Sequence, residues 1–156
     1  MCVRLRHVKL WTKRLAASRP IASGPRPDPD LEKGVPVIDH IILGVDDFEA
    51  SRAFYEQALA PLGLEVVMAM PNGAGFGKDG KPVFWIAERP GSGPVHVAFT
   101  SPDRATVEAF FDAALAAGGR DNGPPGIRAH YHPTYYGAFV YDPDGNNIEA
   151  VCHLPE

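Results

Sequence analysis

At 156 residues and 45% hydrophobic content, the chain suits one domain or two small repeated modules, with enough apolar material for a core. Its formal charge of −4 is unevenly spread: residues 1–27 hold seven Lys and Arg and no acid, which leaves eight basic against nineteen acidic residues beyond them. That acidic remainder argues against a nucleic-acid surface, Cys2 and Cys152 at opposite ends argue against a disulfide framework or a thiolate zinc site, and no apolar run approaches a membrane span. A reducing compartment, the cytoplasm, fits.

The segment from Met1 to about Gly34 is basic, then Pro-rich, and has too little periodic apolar content to pack; it reads as disordered. Its Arg-rich, Ser-containing composition is also that of an organelle transit peptide. A plainer alternative is that translation starts at Val35 or Val37, which would make the extension an artefact. Mass spectrometry of the native N-terminus separates these readings, and an intact Met1 contradicts both.

From Val37 the pattern becomes regular. Val37 to Val45 is rich in β-branched residues and predicts a strand. Asp46 and Asp47 offer N-cap oxygens before a helix from Phe48 to Leu59, closed by Pro61 and Gly63. Three shorter strands are expected over Leu64–Met70, Gly73–Phe76 and Pro82–Ala87, giving a βαβββ module. A shift of 56 residues then repeats the pattern: His40 falls on His96, Asp47 on Asp103, Ala53-Phe54-Tyr55-Glu56 on Ala109-Phe110-Phe111-Asp112, and Gly63 on Gly119. The second module is expected to run as a strand over Val95–Thr100, a helix over Pro102–Ala117 behind a Ser101 cap, and strands around Ile127–Tyr131, Tyr135–Tyr141 and Asn147–Cys152.

The last two of those strands flank Asp142-Pro143-Asp144-Gly145-Asn146, which is dense turn chemistry and predicts a hairpin. In the strand that follows, Asn147, Glu149 and Val151 share one face, and Ile148, Ala150 and Cys152 the other. Glu149 therefore sits opposite an apolar face, where a carboxylate must meet solvent, a cation or a metal.

With the repeat, two strand histidines and this hairpin, the chain resembles the vicinal oxygen chelate superfamily of glyoxalases, extradiol dioxygenases and bleomycin-binding proteins. A glyoxalase-like subgroup is also suggested by Gly118-Gly119-Arg120-Asp121-Asn122-Gly123 and His130-Tyr131-His132-Pro133-Thr134-Tyr135-Tyr136. The resemblance spans about Val37 to His153. It implies an α+β fold in which paired βαβββ modules, about 37–90 and 94–153, form a curled, incompletely closed sheet with helices on the convex side. It further implies one divalent metal, Zn, Ni, Mn or Fe(II), held by His40, His96 and Glu149, and a homodimer acting on a small molecule. Two imidazoles and a carboxylate leave open coordination positions, which catalysis needs.

Glyoxalases of that superfamily carry a fourth ligand, a Glu, at a place that falls here near Phe84 or Trp85, and neither ligates. Glu88 lies slightly later, at what reads as a solvated strand end. A base must then come from elsewhere. His130 and His132 would alternate on one strand, and Tyr135, by parity from Phe139, points inward. His132 and Tyr135 are accordingly the candidate catalytic groups, against the plainer reading of a polar, aromatic pocket wall. Three functions stay open: a metal-dependent lyase or isomerase, an Fe(II) extradiol-type dioxygenase, and a binding protein without catalysis. Trp85, Phe139, Met68 and Met70 suggest an apolar pocket, or simply core.

Overall fold

Helix and strand order follows the repeat closely. In the computed structural model, which describes residues 38–155, the chain runs β1 (Ile41–Val45), α1 (Phe48–Ala58), β2 (Glu65–Met70), β3 (Gly73–Lys78) and β4 (Lys81–Glu88). It continues with β5 (His96–Thr100), α2 (Arg104–Ala116), β6 (Arg120–Ile127), β7 (Tyr136–Tyr141) and β8 (Asn147–Cys152). The paired βαβββ architecture is thus present, as two four-stranded sheets of order β1-β4-β3-β2 and β5-β8-β7-β6, not closed into a barrel. In each, the first strand runs parallel to the last and the remaining pairs are antiparallel. The basic, Pro-rich extension and the proposed starts at Val35 and Val37 lie outside the described residues.

Both helices bury the same stripe. In α1 Ser51, Phe54, Tyr55 and Ala58 are buried, and in α2 Val107, Phe110, Phe111 and Ala114, each 56 residues later. The apolar members of both stripes join Leu43, Phe76, Phe84, Ile86, Val140 and Ile148 in one core, with Phe84 edge-on to Phe99 at 5.2 Å between ring centroids. Each helix thereby covers one face of the sheets and leaves the opposite face open.

The hairpin after β7 ties the modules together. Asp142, 2% exposed, accepts from the Tyr55 hydroxyl at 2.5 Å, from the Asn146 backbone N–H and side-chain amide at 2.7 and 2.8 Å, and from the Asp144 N–H at 3.0 Å. Asp144 in turn accepts from the Ser51 hydroxyl at 2.8 Å and the Asp46 N–H at 3.1 Å, while Asn146 Oδ1 accepts from Val95 N–H at 3.0 Å. Its turn residues therefore do more than reverse the chain: they fasten β8 to α1 and to the start of β5. Four donors on one buried carboxylate repay the cost of removing it from water.

Three expectations need correction. The first strand begins at Ile41, where its ladder with Phe84 begins, and residues 38–40 are not strand. The second helix is capped by Asp103, whose carboxylate accepts from Thr106 N–H at 2.7 Å, while the Ser101 hydroxyl donates to the Asp103 carbonyl. The strand expected over Ile127–Tyr131 is displaced to Arg120–Ile127, so His130 and His132 lie in a turn-rich loop and do not alternate on a strand. Gly123-Pro124-Pro125-Gly126 reads as a turn, yet β6 is an edge strand with register shifts at Asp121/Gly123 and Gly123/Gly126, the setting in which proline is tolerated.

Candidate functional site

Strand register places the candidate ligands. In the second sheet Ala98 pairs with Glu149 and His96 with Asn147, so His96, Glu149 and Asn147 share the open face with Phe139, the β7 partner of Glu149. Despite that face, Glu149 is 1% exposed; Tyr135, in the loop after β6, reaches it, and Tyr131 of the same loop lines the cavity beside it. Tyr135 donates its hydroxyl to Glu149 Oε1 at 2.5 Å, and His96 Nε2 lies 3.1 Å from Oε2. Gly137 permits this: a Cβ there would come within 2.9 Å of Glu149 Oε1 and 3.1 Å of the Tyr135 ring. Together His96, Tyr131, Tyr135, Phe139, Asn147 and Glu149 line a cavity of about 450 Å³, opened to solvent by the half-exposed imidazole.

The Tyr135 phenol is held well above its ordinary pKa by burial, then by its bond to the Glu149 carboxylate and by that carboxylate's charge. It stays a proton donor through the neutral range. His132 is placed differently: it is exposed, its Nδ1 lies 3.0 Å from the Thr134 hydroxyl, and it does not line the cavity. Strand reasoning did not single out Tyr131 or Arg128. Arg128 lines an adjoining cavity of about 300 Å³ with Asn122 and His130, its guanidinium 5.4 Å from the Phe139 ring centroid. Both belong to a loop for which strand parity gives no rule.

His40 occupies the matching place in the first sheet. It stands two residues before Ile42, which pairs with Trp85, just as His96 stands two before Ala98, which pairs with Glu149. The side chain equivalent to Glu149 is therefore Trp85, one of the two places at which the resemblance leads one to expect a fourth carboxylate; Glu88 is exposed at the end of β4, paired with Val45. His40 Nδ1 lies 2.8 Å from Asp39 Oδ1, and Lys81 Nζ lies 3.2 Å from Asp39 Oδ2, so these polar groups cluster at one edge of a separate cavity lined also by Ile42, Met70, Pro82 and Trp85. Hydrogen bonding from His40, then from Lys81, lowers the Asp39 pKa below its usual value.

The donor chemistry of His96 and Glu149 fits a divalent ion as two ligands. Donors each about 2.1 Å from one ion and at right angles are about 3 Å apart, which is the separation this pair shows. Among the described residues no three His, Cys, Asp or Glu side chains converge on one point, so His40 is not drawn in with them. No described helix is long and apolar enough to cross a membrane.

Fold and site define an α+β protein of paired βαβββ modules with a polar pocket on one open face. The chain belongs to the Glyoxalase/Bleomycin resistance protein/Dioxygenase superfamily, whose model matches residues 37–150. Among solved structures it is similar to a glyoxalase/bleomycin resistance protein from Albidiferax ferrireducens T118, with 29% identity and a TM-score of 0.63 over 75% of this chain and 98% of that one. A lactoylglutathione lyase from Agrobacterium tumefaciens shares the fold at 23% identity, with a TM-score of 0.57 over 76% and 95% of the two chains. A mutant of glyoxalase I from Zea mays, in which one Glu is replaced by Gln, matches at 25% identity, with a TM-score of 0.56 over 73% of this chain and 46% of that one. No curated protein matches.

Proposed function

We propose that the chain is a divalent-metal-dependent, glyoxalase-like lyase or isomerase acting on a small oxygenated molecule that offers two vicinal oxygens. The observation that carries this reading is the buried Glu149 carboxylate, paired with His96 Nε2 at 3.1 Å on the wall of a cavity of about 450 Å³. A carboxylate at 1% exposure is costly to keep, and this one, beside a half-exposed imidazole on a cavity wall, is placed to serve a cation or a proton transfer. Similarity to the glyoxalase I of Zea mays supports the same chemistry.

In this proposal His96 and Glu149 hold the ion; His40, which lines a different cavity, is the third protein donor only if binding of the ion draws it toward them. The ion, when bound, supplies Lewis-acid polarisation of adjacent substrate oxygens. Tyr135, donating to Oε1, fixes the Glu149 carboxylate so that Oε2 is the oxygen left facing His96. Tyr131 and Phe139 wall the cavity. His132 and Tyr135 are the proposed proton-transfer groups; His132 reaches the cavity only if its loop moves. His132→Gln should then lower turnover far more than metal content, and equal loss of both would make it a ligand.

Trp85 in place of a fourth carboxylate favours one other reading, an Fe(II) extradiol-type dioxygenase, since it limits the set to two imidazoles and one carboxylate. Elemental analysis of protein purified without added metal or chelator, beside His40→Ala, His96→Ala and Glu149→Ala, tests both. Near-stoichiometric zinc, nickel or manganese in the wild type alone supports the lyase or isomerase. Iron supports oxygen chemistry. No metal after reconstitution leaves a binding protein without catalysis. Retention of metal by His40→Ala alone removes His40 from the ligand set. A homodimer, proposed from the family, is read from sedimentation of the full chain.

A further inference from the structure

The open face of the first sheet has lost the carboxylate that the second sheet keeps, and what replaces it is apolar. Trp85 stands at the place of Glu149, flanked by Ile42, Met70 and Pro82 around a cavity of about 350 Å³. Ile42 and Met70 are 49% and 51% exposed, so this surface meets water across much of its area. A glycine, Gly75, lies directly beneath the indole: a Cβ there would stand 3.0 Å from the Trp85 ring and 2.9 Å from Pro82. The backbone of β3 has thus made room for a large flat side chain lying against the sheet.

This cavity is not isolated from the polar one. Ile42 also lines a cleft of about 230 Å³ between β1 and β5, and the opposite wall of that cleft includes His96, which belongs to the Glu149 cavity. Ile42 is thus common to the first cavity and the cleft, and His96 to the cleft and the polar cavity. A cavity of about 150 Å³ already accommodates benzene, so the volume beside Trp85 suffices for a substituted ring.

We infer that the first sheet's open face is the receptor for the apolar body of the substrate, an aromatic or branched hydrocarbon group stacked on Trp85 and Ile42, while its vicinal oxygens occupy the His96–Glu149 cavity. The inference rests on the proposed role of His96 and Glu149 for the oxygen-binding end; the apolar end stands on its own residues. The ligand class is therefore an amphipathic hydroxy- or oxo-compound, larger than a two- or three-carbon fragment. Asp39, paired with Lys81 and His40, lines the same cavity and gives the apolar area a polar border.

Three probes separate the two ends: glycolate carries vicinal oxygens without a body, benzyl alcohol a ring without vicinal oxygens, and mandelate both. Binding to the full chain, loaded with one equivalent of zinc or manganese, is followed by calorimetry and by tryptophan emission, with Trp85→Phe giving the background from Trp11. Mandelate should bind about tenfold tighter than glycolate, as burial of a ring implies. Trp85→Ala and Ile42→Asn, on different strands, should each reduce mandelate to the affinity of glycolate and leave glycolate unchanged. Glu149→Gln should weaken glycolate and mandelate and spare benzyl alcohol. Equal affinity for glycolate and mandelate overturns the apolar receptor and leaves the oxygen site standing. Benzyl alcohol binding that depends on Trp85, without any glycolate binding, keeps the receptor and overturns the function proposed for His96 and Glu149. Failure of benzyl alcohol to bind, with Trp85 emission changing with protein concentration instead, makes this face a contact between copies of the chain and overturns the inference.

Discussion

In the first sheet the pair β1–β4 is associated with His40, Ile42 and Trp85; in the second, β5–β8 carries His96, Ala98 and Glu149 at the corresponding places. The helix-covered faces barely differ, since Phe54 matches Phe110, Ala58 matches Ala114, and all four are fully buried. Packing has held the repeated plan while the open faces have separated into an apolar surface and a polar pocket. Two positions of the stripe also depart: Tyr55 stands at the place of Phe111 and Ser51 at that of Val107, and their hydroxyls reach Asp142 and Asp144 in the second module's hairpin. Divergence in this molecule is concentrated where no helix packs, or where hydroxyls of the first helix join the halves.

The largest effect should come from cutting that join. Asp142→Ala removes the acceptor for four donors and leaves the buried Tyr55 hydroxyl unpaired, a loss of about 3–5 kcal/mol in urea unfolding. Tyr55→Phe, which makes the two helices alike, should cost only about 1–2 kcal/mol. A loss below about 1 kcal/mol in Asp142→Ala would show that the hairpin is held by its turn alone.

A matched pair of glycines sharpens the contrast between the open faces. Gly73 and Gly137 occupy the same register position, paired with Ala87 and Val151. A Cβ on Gly73 would meet only the Ile86 carbonyl at 3.3 Å and the flexible end of Met70 at 3.4 Å, whereas on Gly137 it would press on Glu149 and Tyr135. Gly137→Ala should therefore cost about 1–3 kcal/mol and disturb metal retention, while Gly73→Ala stays within about 1 kcal/mol. Equal costs at the two positions would mean that the Glu149 pocket is no more tightly built than the bare sheet.

Returning a carboxylate to the first sheet tests the comparison from the other side. In the proposed function, where His40 joins the ion, Trp85→Glu sets a further carboxylate on the His40 sheet, and should tighten retention of zinc or manganese about tenfold, a gain of about 1.4 kcal/mol. Competition against a chelator measures it. Unchanged retention would separate the first sheet from the metal altogether.

Much of this contrast is legible in the sequence, for a physical reason. A shift of 56 aligns strand and helix because both modules must bury the same stripe, and period-two alternation puts Glu149 on the face opposite Ile148 and Ala150. The cap at Asp103 was also visible in that shift, as the match of Asp47, though the hydroxyl of Ser101 is the nearer turn signal. What alternation does not encode is the loop from Arg128 to Tyr135. There Arg128 N–H bonds to the Tyr135 carbonyl and Tyr135 N–H to the His132 carbonyl, so tertiary turns set side-chain direction and bring Tyr135 onto Glu149. Nor do Pro124 and Pro125 announce a strand, because an edge leaves their missing N–H groups unneeded.

The smallest effect separates the two buried phenols by pH. Tyr55 is raised well above its ordinary pKa by burial first, then by the charge of Asp142 and its hydrogen bond, and Tyr135 is raised by burial and by Glu149. In the unfolded chain both ionise near about pH 10, while in the fold both keep their protons beyond it. The unfolded state therefore binds fewer protons above about pH 10, and stability that is present in full below that value falls as the pH rises toward the folded values. Urea midpoints taken from pH 8 to 11 should show this decline in the wild type. It should flatten more in Tyr55→Phe, whose phenol is wholly enclosed, than in Tyr135→Phe, whose ring is partly open to water. An equal flattening in both would indicate that the loop closes over Glu149 as tightly as the core closes over Asp142, and the polar pocket would then open to its ligands only when that loop moves.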